Sequence, residues 1–133
     1  MQAKISKDFA KQIFDILKKE YPKVKPALVY SNPFELLIST ILSAQCTDER
    51  VNIVTKELFK KYKKPQDCVN LTQEELEKQI FSTGFYKQKA KSIKACCEEL
   101  IRSHKGKVPA DFNELVKLSG VGRKTASVVA GNA

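Results

Sequence analysis

The segment Phe34-Glu35-Leu36-Leu37-Ile38-Ser39-Thr40-Ile41-Leu42 carries apolar residues on nearly every side at helical spacing. A helix of that kind cannot lie on a surface. It needs neighbours all round, which makes it the central buried helix of whatever the chain builds. Ser31-Asn32-Pro33 supplies its start, with a capping side chain followed by proline at the first helical position. No stretch of the chain shows sustained two-residue alternation, so the neighbours that cover this helix are helices as well.

Those neighbours are legible in turn. Phe9, Ile13, Ile16, Leu17 and Tyr21 recur at helical spacing, giving an amphipathic helix over about 6–20 that Tyr21-Pro22 ends. The stretch from there to Asn32 has no periodicity and reads as a linker. Thr47-Asp48 caps a helix with Val51, Val54, Leu58, Phe59 and Tyr62 on one face. The cations Lys60, Lys61, Lys63 and Lys64 lie at its negative end. A short helical turn covers Gln66 to Val69. Thr72-Gln73-Glu74-Glu75 is a capping box that opens a helix through Leu76 and Ile80, and Gly84 suits a left-handed C-terminal cap. A longer helix covers about 86–104, with Ala90, Ile93, Cys97, Leu100 and Ile101 inward, and Gly106 ends it. Asp111 starts a short helix through Leu115 and Leu118, and a final helix begins near Arg123. The expected fold class is all-α, a compact multi-helix bundle with short connections.

A chain of 133 residues holds one domain, or one domain and part of another. No apolar stretch approaches the ~18 residues of a membrane span, and Met1-Gln2-Ala3-Lys4 does not lead into a signal segment, so a soluble protein is expected. The formal charge is +9. Ten basic residues against four acidic ones fall between Lys87 and Lys124, which holds most of the surplus. Such a patch points to an acidic partner, with nucleic acid foremost. The cysteines Cys46, Cys68, Cys96 and Cys97 form no C-x-x-C pair, and His104 is the one histidine. No zinc spacing exists, and reduced thiols without a metal site are expected.

Leu118-Ser119-Gly120-Val121-Gly122-Arg123-Lys124-Thr125-Ala126 carries the chemistry. Glycines at 120 and 122 permit positive φ and let backbone N–H groups approach another molecule closely. Together with the free N–H groups of the next helix start, they make an anion nest. Arg123 opposes the helix dipole, an arrangement that an anion would neutralise. Lys124 lies in the first turn, where the helix dipole and Arg123 disfavour its protonated form and partial burial would add to that effect. A neutral lysine is a nucleophile that forms Schiff bases with sugar aldehydes.

These nine residues resemble the helix-hairpin-helix signature of the endonuclease III family. Two further blocks are similar to family blocks: Ser31-Asn32-Pro33-Phe34-Glu35-Leu36-Leu37-Ile38 with Leu42-Ser43-Ala44-Gln45-Cys46-Thr47-Asp48, and Gly84-Phe85-Tyr86-Lys87-Gln88-Lys89-Ala90. The resemblance covers essentially the whole chain. It implies base-excision DNA repair by a cytoplasmic, nucleoid-associated glycosylase that removes oxidised pyrimidines and cleaves the abasic strand. The partner would be double-stranded DNA with a damaged base or abasic site, its target nucleotide flipped out. Gln45 and Phe85 match the residues inserted into the gap, Phe85 as the wedge. Gly120, Val121 and Gly122, with Arg123 beside them, match the phosphate-holding hairpin, and Lys124 matches the catalytic lysine. The resemblance also implies a monovalent cation on the hairpin carbonyls.

Departures from the family pattern sharpen the expectation. The family's catalytic aspartate, in a Val-Asp-Thr-His motif, and its four cluster-binding cysteines are expected beyond residue 133. A 4Fe–4S cluster is implied for the full-length family member, and none for this chain. The expectation is therefore a C-terminally truncated member. Residues 1–21 would belong to an otherwise missing second, iron–sulfur lobe. Residues 22–133 would form the DNA-binding domain, ending in the hairpin at about 111–133. Truncation would expose apolar surface on helix 6–20 and on Ser127–Ala133, favouring self-association. The alternative is a non-catalytic helix-hairpin-helix DNA-binding module. A structural bundle without a DNA role fits the three blocks less well.

Overall fold

The structure is a computed structural model that describes residues 28–132. The helix expected over residues 6–20, and with it the assignment of residues 1–21 to a second lobe, lies outside the described residues. Helix α1 runs Pro33–Leu42. Asn32 caps it by accepting from the Glu35 N–H at 2.9 Å, while Glu35 accepts from the Ser31 N–H at 2.8 Å. Its two entry donors are thus satisfied reciprocally. Leu36, Leu37, Ile38 and Leu42 are fully or almost fully buried, as the all-round apolar pattern demands.

Helix α2, Asp48–Lys61, starts at Thr47, whose hydroxyl accepts from the Arg50 N–H at 3.1 Å. Val51, Val54 and Leu58 face inward, and Lys60 and Lys61 occupy the last turn. The short α3, Pro65–Val69, leads to α4, Gln73–Ile80, and a 3₁₀ turn at Phe81–Thr83. Helix α5 spans Tyr86–His104. It ends in two left-handed residues, Lys105 and Gly106, and the Gly106 N–H reaches back to the Leu100 carbonyl at 2.8 Å. Helix α6, Phe112–Leu115, is a single turn, and α7 covers Arg123–Asn132. No strand occurs among the described residues.

The core is organised by two helices. Helix α1 packs against α2, α5 and α7, and α5 packs against α1, α3, α4 and the 3₁₀ turn. Burying the side chains of α1 in this way stabilises the fold by about 1.5–3 kcal/mol for each large aliphatic residue. No helix among the described residues is long and apolar enough to cross a membrane.

Three expectations are corrected by packing. Ile101 is half-buried rather than inward. Gly84 has positive φ (79°) but an extended ψ (157°), so it is not a left-handed cap; the left-handed residue is Phe85 (φ 47°, ψ 37°). The apolar residues of α7 are not left bare. Ala126 and Val129 are fully buried and Val128 and Ala130 half-buried, because α7 lies on α1. The apolar surface expected on Ser127–Ala133 is therefore partly covered in the described part of that segment.

The capping box of α4 gives a test. Thr72 Oγ1 accepts from the Glu75 N–H at 3.1 Å, and Glu75 accepts from the Thr72 N–H at 2.9 Å. Replacing Thr72 by Ala should cost about 1 kcal/mol in urea unfolding followed by circular dichroism. The hydrogen bonds from Thr72 hold the Glu75 carboxyl below its ordinary value of 4.5. A depressed carboxylate stabilises the fold above that ordinary value, and the contribution fades as pH falls through the lowered one. Glu75→Gln should therefore flatten the acid limb of the stability profile.

Candidate nucleic-acid interface

Two exposed turns carry the residues matched to gap insertion. Gln45 lies three residues beyond the end of α1 with φ 52°, and Phe85 lies at the N-terminus of α5 with φ 47°. Side chains disfavour this left-handed region, at a cost of roughly 1 kcal/mol or more per residue. Both residues are nevertheless exposed, Phe85 by 64%. Core packing, the ordinary explanation of a phenylalanine, does not apply to Phe85. Its neighbours Phe81 and Tyr86 stack with ring centroids 4.7 Å apart, and Phe81 is also exposed.

One side chain ties the two turns together. Lys89, on the first turn of α5, is only 5% exposed. Its Nζ donates to the Leu42 carbonyl at 2.8 Å and to the Thr83 carbonyl at 2.9 Å. The first closes the end of α1 just before Gln45, and the second closes the 3₁₀ turn just before Gly84-Phe85. Burial pulls the Lys89 ammonium below its ordinary range, and the neighbouring Cys46 acts weakly in the opposite sense.

The hairpin is seated on the same helix. Gly120 has φ 76°, and a Cβ built on it would lie 2.6 Å from Ser92 Cβ. Glu99 accepts from the Ser119 N–H at 2.8 Å and from the Ser119 hydroxyl at 3.4 Å. Gly122 differs from Gly120. It lacks a positive φ, its carbonyl accepts from the Ala126 N–H at 2.9 Å, and a Cβ there would meet nothing. The expectation of two positive-φ glycines is thus corrected to one. The fold itself requires Gly120, while Gly122 leaves open room for something outside.

Val121 is placed differently from the two glycines. Its side chain is buried and its N–H donates to the Leu118 carbonyl at 3.1 Å. Gly120, Gly122, Arg123 and Lys124 are exposed beside it. Arg123 sits with its guanidinium 5.4 Å from the centre of the Phe112 ring, a cation–π contact that helps offset the unfavourable dipole. Lys124 is exposed.

Phe85, Lys89, Ser92 and Glu99 fall on one stripe of α5, at helical spacing. At 1.5 Å per residue, Phe85 and the Gly120 seat at Ser92 are about 10 Å apart along the axis. This stripe was missed in the sequence. Its signal was the polar residues Lys89, Ser92 and Glu99, three and seven apart, beside the apolar face. The basic surplus is smaller outside than the sequence count. Lys89 and Lys94 both turn inward, Lys94 to the Val69 and Leu71 carbonyls, and Lys117 pairs with Glu114 at 3.2 Å. Lys87, Lys91, Arg102, Lys105, Lys107, Arg123 and Lys124 remain exposed.

The cysteines do not fit an iron–sulfur cluster. All four are free thiols. Burial pushes Cys96 up to about 12, and a thiol–thiol hydrogen bond lowers Cys68 while raising Cys97. Buried thiols held protonated are poor ligands. Cys46 lies apart, near Lys89, and no metal-binding group of three or more His, Cys, Asp or Glu occurs among the described residues. A cavity of about 600 Å³ near Val29, Asn52 and Phe59 includes none of the candidate site residues.

A family model for HhH-GPD superfamily base excision DNA repair proteins matches residues 38–131, and the chain belongs to that superfamily. Endonuclease III of Bacillus subtilis is 53% identical over 109 residues, 82% of this chain and 50% of the relative. Endonuclease III of Rickettsia prowazekii is 47% identical over 129 residues, 97% of this chain and 59% of the relative. A solved non-covalent endonuclease III–DNA complex is similar with TM-score 0.80 and 49% identity over 96% of this chain and 60% of its own. A trapped endonuclease III–DNA covalent intermediate gives TM-score 0.78 at 49% identity, over 95% of this chain and 59% of that one. The chain thus spans about half to three-fifths of the length of these relatives.

The two hairpin glycines should separate in unfolding experiments. Gly120→Ala must strain φ and push against Ser92 on α5, costing about 1–3 kcal/mol. Gly122→Ala should stay within about 1 kcal/mol of the parent.

Proposed function

We propose that this chain is the hairpin-bearing DNA-binding part of an endonuclease III-type glycosylase and abasic-site lyase acting on oxidised pyrimidines. The observation that carries the reading is Lys124, exposed on the first turn of a helix that a glycine hairpin leads into, in a fold shared with DNA-bound endonuclease III. The residues divide the work. Gly120, Gly122 and the N–H groups opening α7 receive a phosphate, and the exposed cations steer the duplex. Gln45 and Phe85 fill the space left by a displaced nucleotide. With its hairpin N–H committed internally, Val121 serves as a spacer. Hairpin carbonyls would hold a monovalent cation, which would brace the turn.

The chemistry assigned to Lys124 needs its neutral amine. Nζ attacks C1′ of the sugar and the C1′–base bond breaks, the base leaving with a proton. At a site already abasic, the amine adds to the aldehyde and water leaves. On the first route the C1′–O4′ bond then opens, O4′ taking a proton, so both routes give the same iminium. It loses a C2′ proton, and the 3′ phosphate departs by β-elimination. Among the described residues no carboxylate forms an ion pair with Lys124. The Val-Asp-Thr-His motif is absent from these 133 residues. Excision of an intact damaged base by this chain is therefore expected to be far weaker than reaction with a ready-made abasic site, because no described carboxylate stands paired with Lys124 to stabilise the developing sugar cation.

Borohydride should trap the chain covalently on abasic duplex, and Lys124→Ala should abolish the adduct. Equal trapping of that variant would remove Lys124 from its role. Gly122→Ala should weaken duplex binding while leaving Lys124 chemistry on short single strands intact, and all binding should fall steeply with salt. The second reading, a non-catalytic hairpin module, is favoured by the lack of a described carboxylate paired with Lys124. It predicts the same salt dependence with no trapped adduct.

A further inference from the structure

We propose that Lys89 is a positioning residue that couples the Gln45 turn to the Phe85 turn, so that the two enter a duplex as one unit; this rests on the DNA reading given above. Each turn holds a non-glycine residue with φ near 50° and an exposed side chain. Neither conformation is favoured on its own. What the turns share is one buried ammonium, bonded at 2.8 Å to the last carbonyl of α1 and at 2.9 Å to the carbonyl before Gly84.

The two carbonyls lie 47 and 6 residues from Lys89 in sequence. A mere helix cap would have used a local donor for each. A single donor fixes the distance between them, and with it the distance between Gln45 and Phe85. The remaining turn bonds are local. The Cys46 N–H donates to Ser43 at 3.1 Å and the Gly84 N–H to Phe81 at 3.3 Å. Neither of these bonds spans the gap between the two turns. Removing the ammonium would leave two inward carbonyls without their donor and release both turns together.

Amide hydrogen exchange on the free chain tests the coupling without DNA. In Lys89→Met, which keeps the volume and removes the donor, exchange should quicken together at residues 43–46 and 84–86. Faster exchange at one turn alone would overturn the proposal. The functional arm measures binding to a duplex carrying a tetrahydrofuran abasic analogue against an intact duplex. Lys89→Met should lose about tenfold in that preference, the scale of one hydrogen-bonded charge. The loss should be largely absent when Gln45→Ala and Phe85→Ala are already present, because the turns then have nothing to position. Full additivity in that background, or an unchanged preference in Lys89→Met, would reject the role. If Lys89→Met does not fold, Lys89→Gln, with an uncharged donor on a shorter stem, carries both arms. An unaltered chain that binds both duplexes equally would remove the DNA reading and this inference together. Discrimination that survives in Lys89→Met would remove the inference alone.

Discussion

A protonated amine buried among apolar side chains persists where carbonyl oxygens replace the water it has lost. Lys89 is held in this way, and much of the outward-facing structure follows from where its two carbonyls lie. They end α1 and the 3₁₀ turn, so the elements carrying Gln45 and Phe85 meet at one point on α5. Further along the same stripe, Ser92 leaves room for Gly120 but for no Cβ on it, and Glu99 receives both donors of Ser119. One face of one helix therefore backs three turns that are far apart in sequence. The apolar face of α5 packs into the core, so the turns inherit the rigidity of that core.

The hairpin shows how the fold and the site share a short motif. Gly120 serves the fold, with its positive φ and close approach to α5. Val121 also serves the fold, with a buried side chain and an internally bonded N–H. Gly122 serves neither requirement, and the space where its Cβ would stand is open. A motif read as a uniform anion cradle thus resolves into a structural half and an outward half. Arg123, unfavourable at a helix N-terminus, is steadied by the Phe112 ring.

Backbone strain and charge are placed with the same economy. The left-handed residues Gln45 and Phe85 hold their side chains in solvent instead of folding them inward. Two lysines of the basic segment are used inside the protein, and the rest of the positive field is carried by exposed side chains on α5, the α5–α6 connection and the start of α7. The cysteines are consumed by packing, Cys96 and Cys97 inside α5 and Cys68 against them.

Helix existence was legible in the sequence because caps and apolar periodicity are local. Asn32, Thr47, Thr72 and Asp111 each cap as their side chains allow, and α5 runs over 86–104 as its pattern indicates. The all-round apolar α1 could only be central. The candidate residues Gln45, Phe85, Gly120, Gly122 and Lys124 were likewise visible as motifs. What the motifs could not convey was distance. That Lys89 points inward, that Phe85 is left-handed while Gly84 is not, that Val121 is committed internally, and that α7 is covered by α1 all depend on which carbonyl or side chain another helix brings near. By itself the sequence determined which segments are helical and which residue types stand at their junctions, because those are matters of local capping and hydrophobic period. The tertiary structure alone decided which polar groups face inward and which face out, because burial and hydrogen-bond partners come from packing between segments remote along the chain.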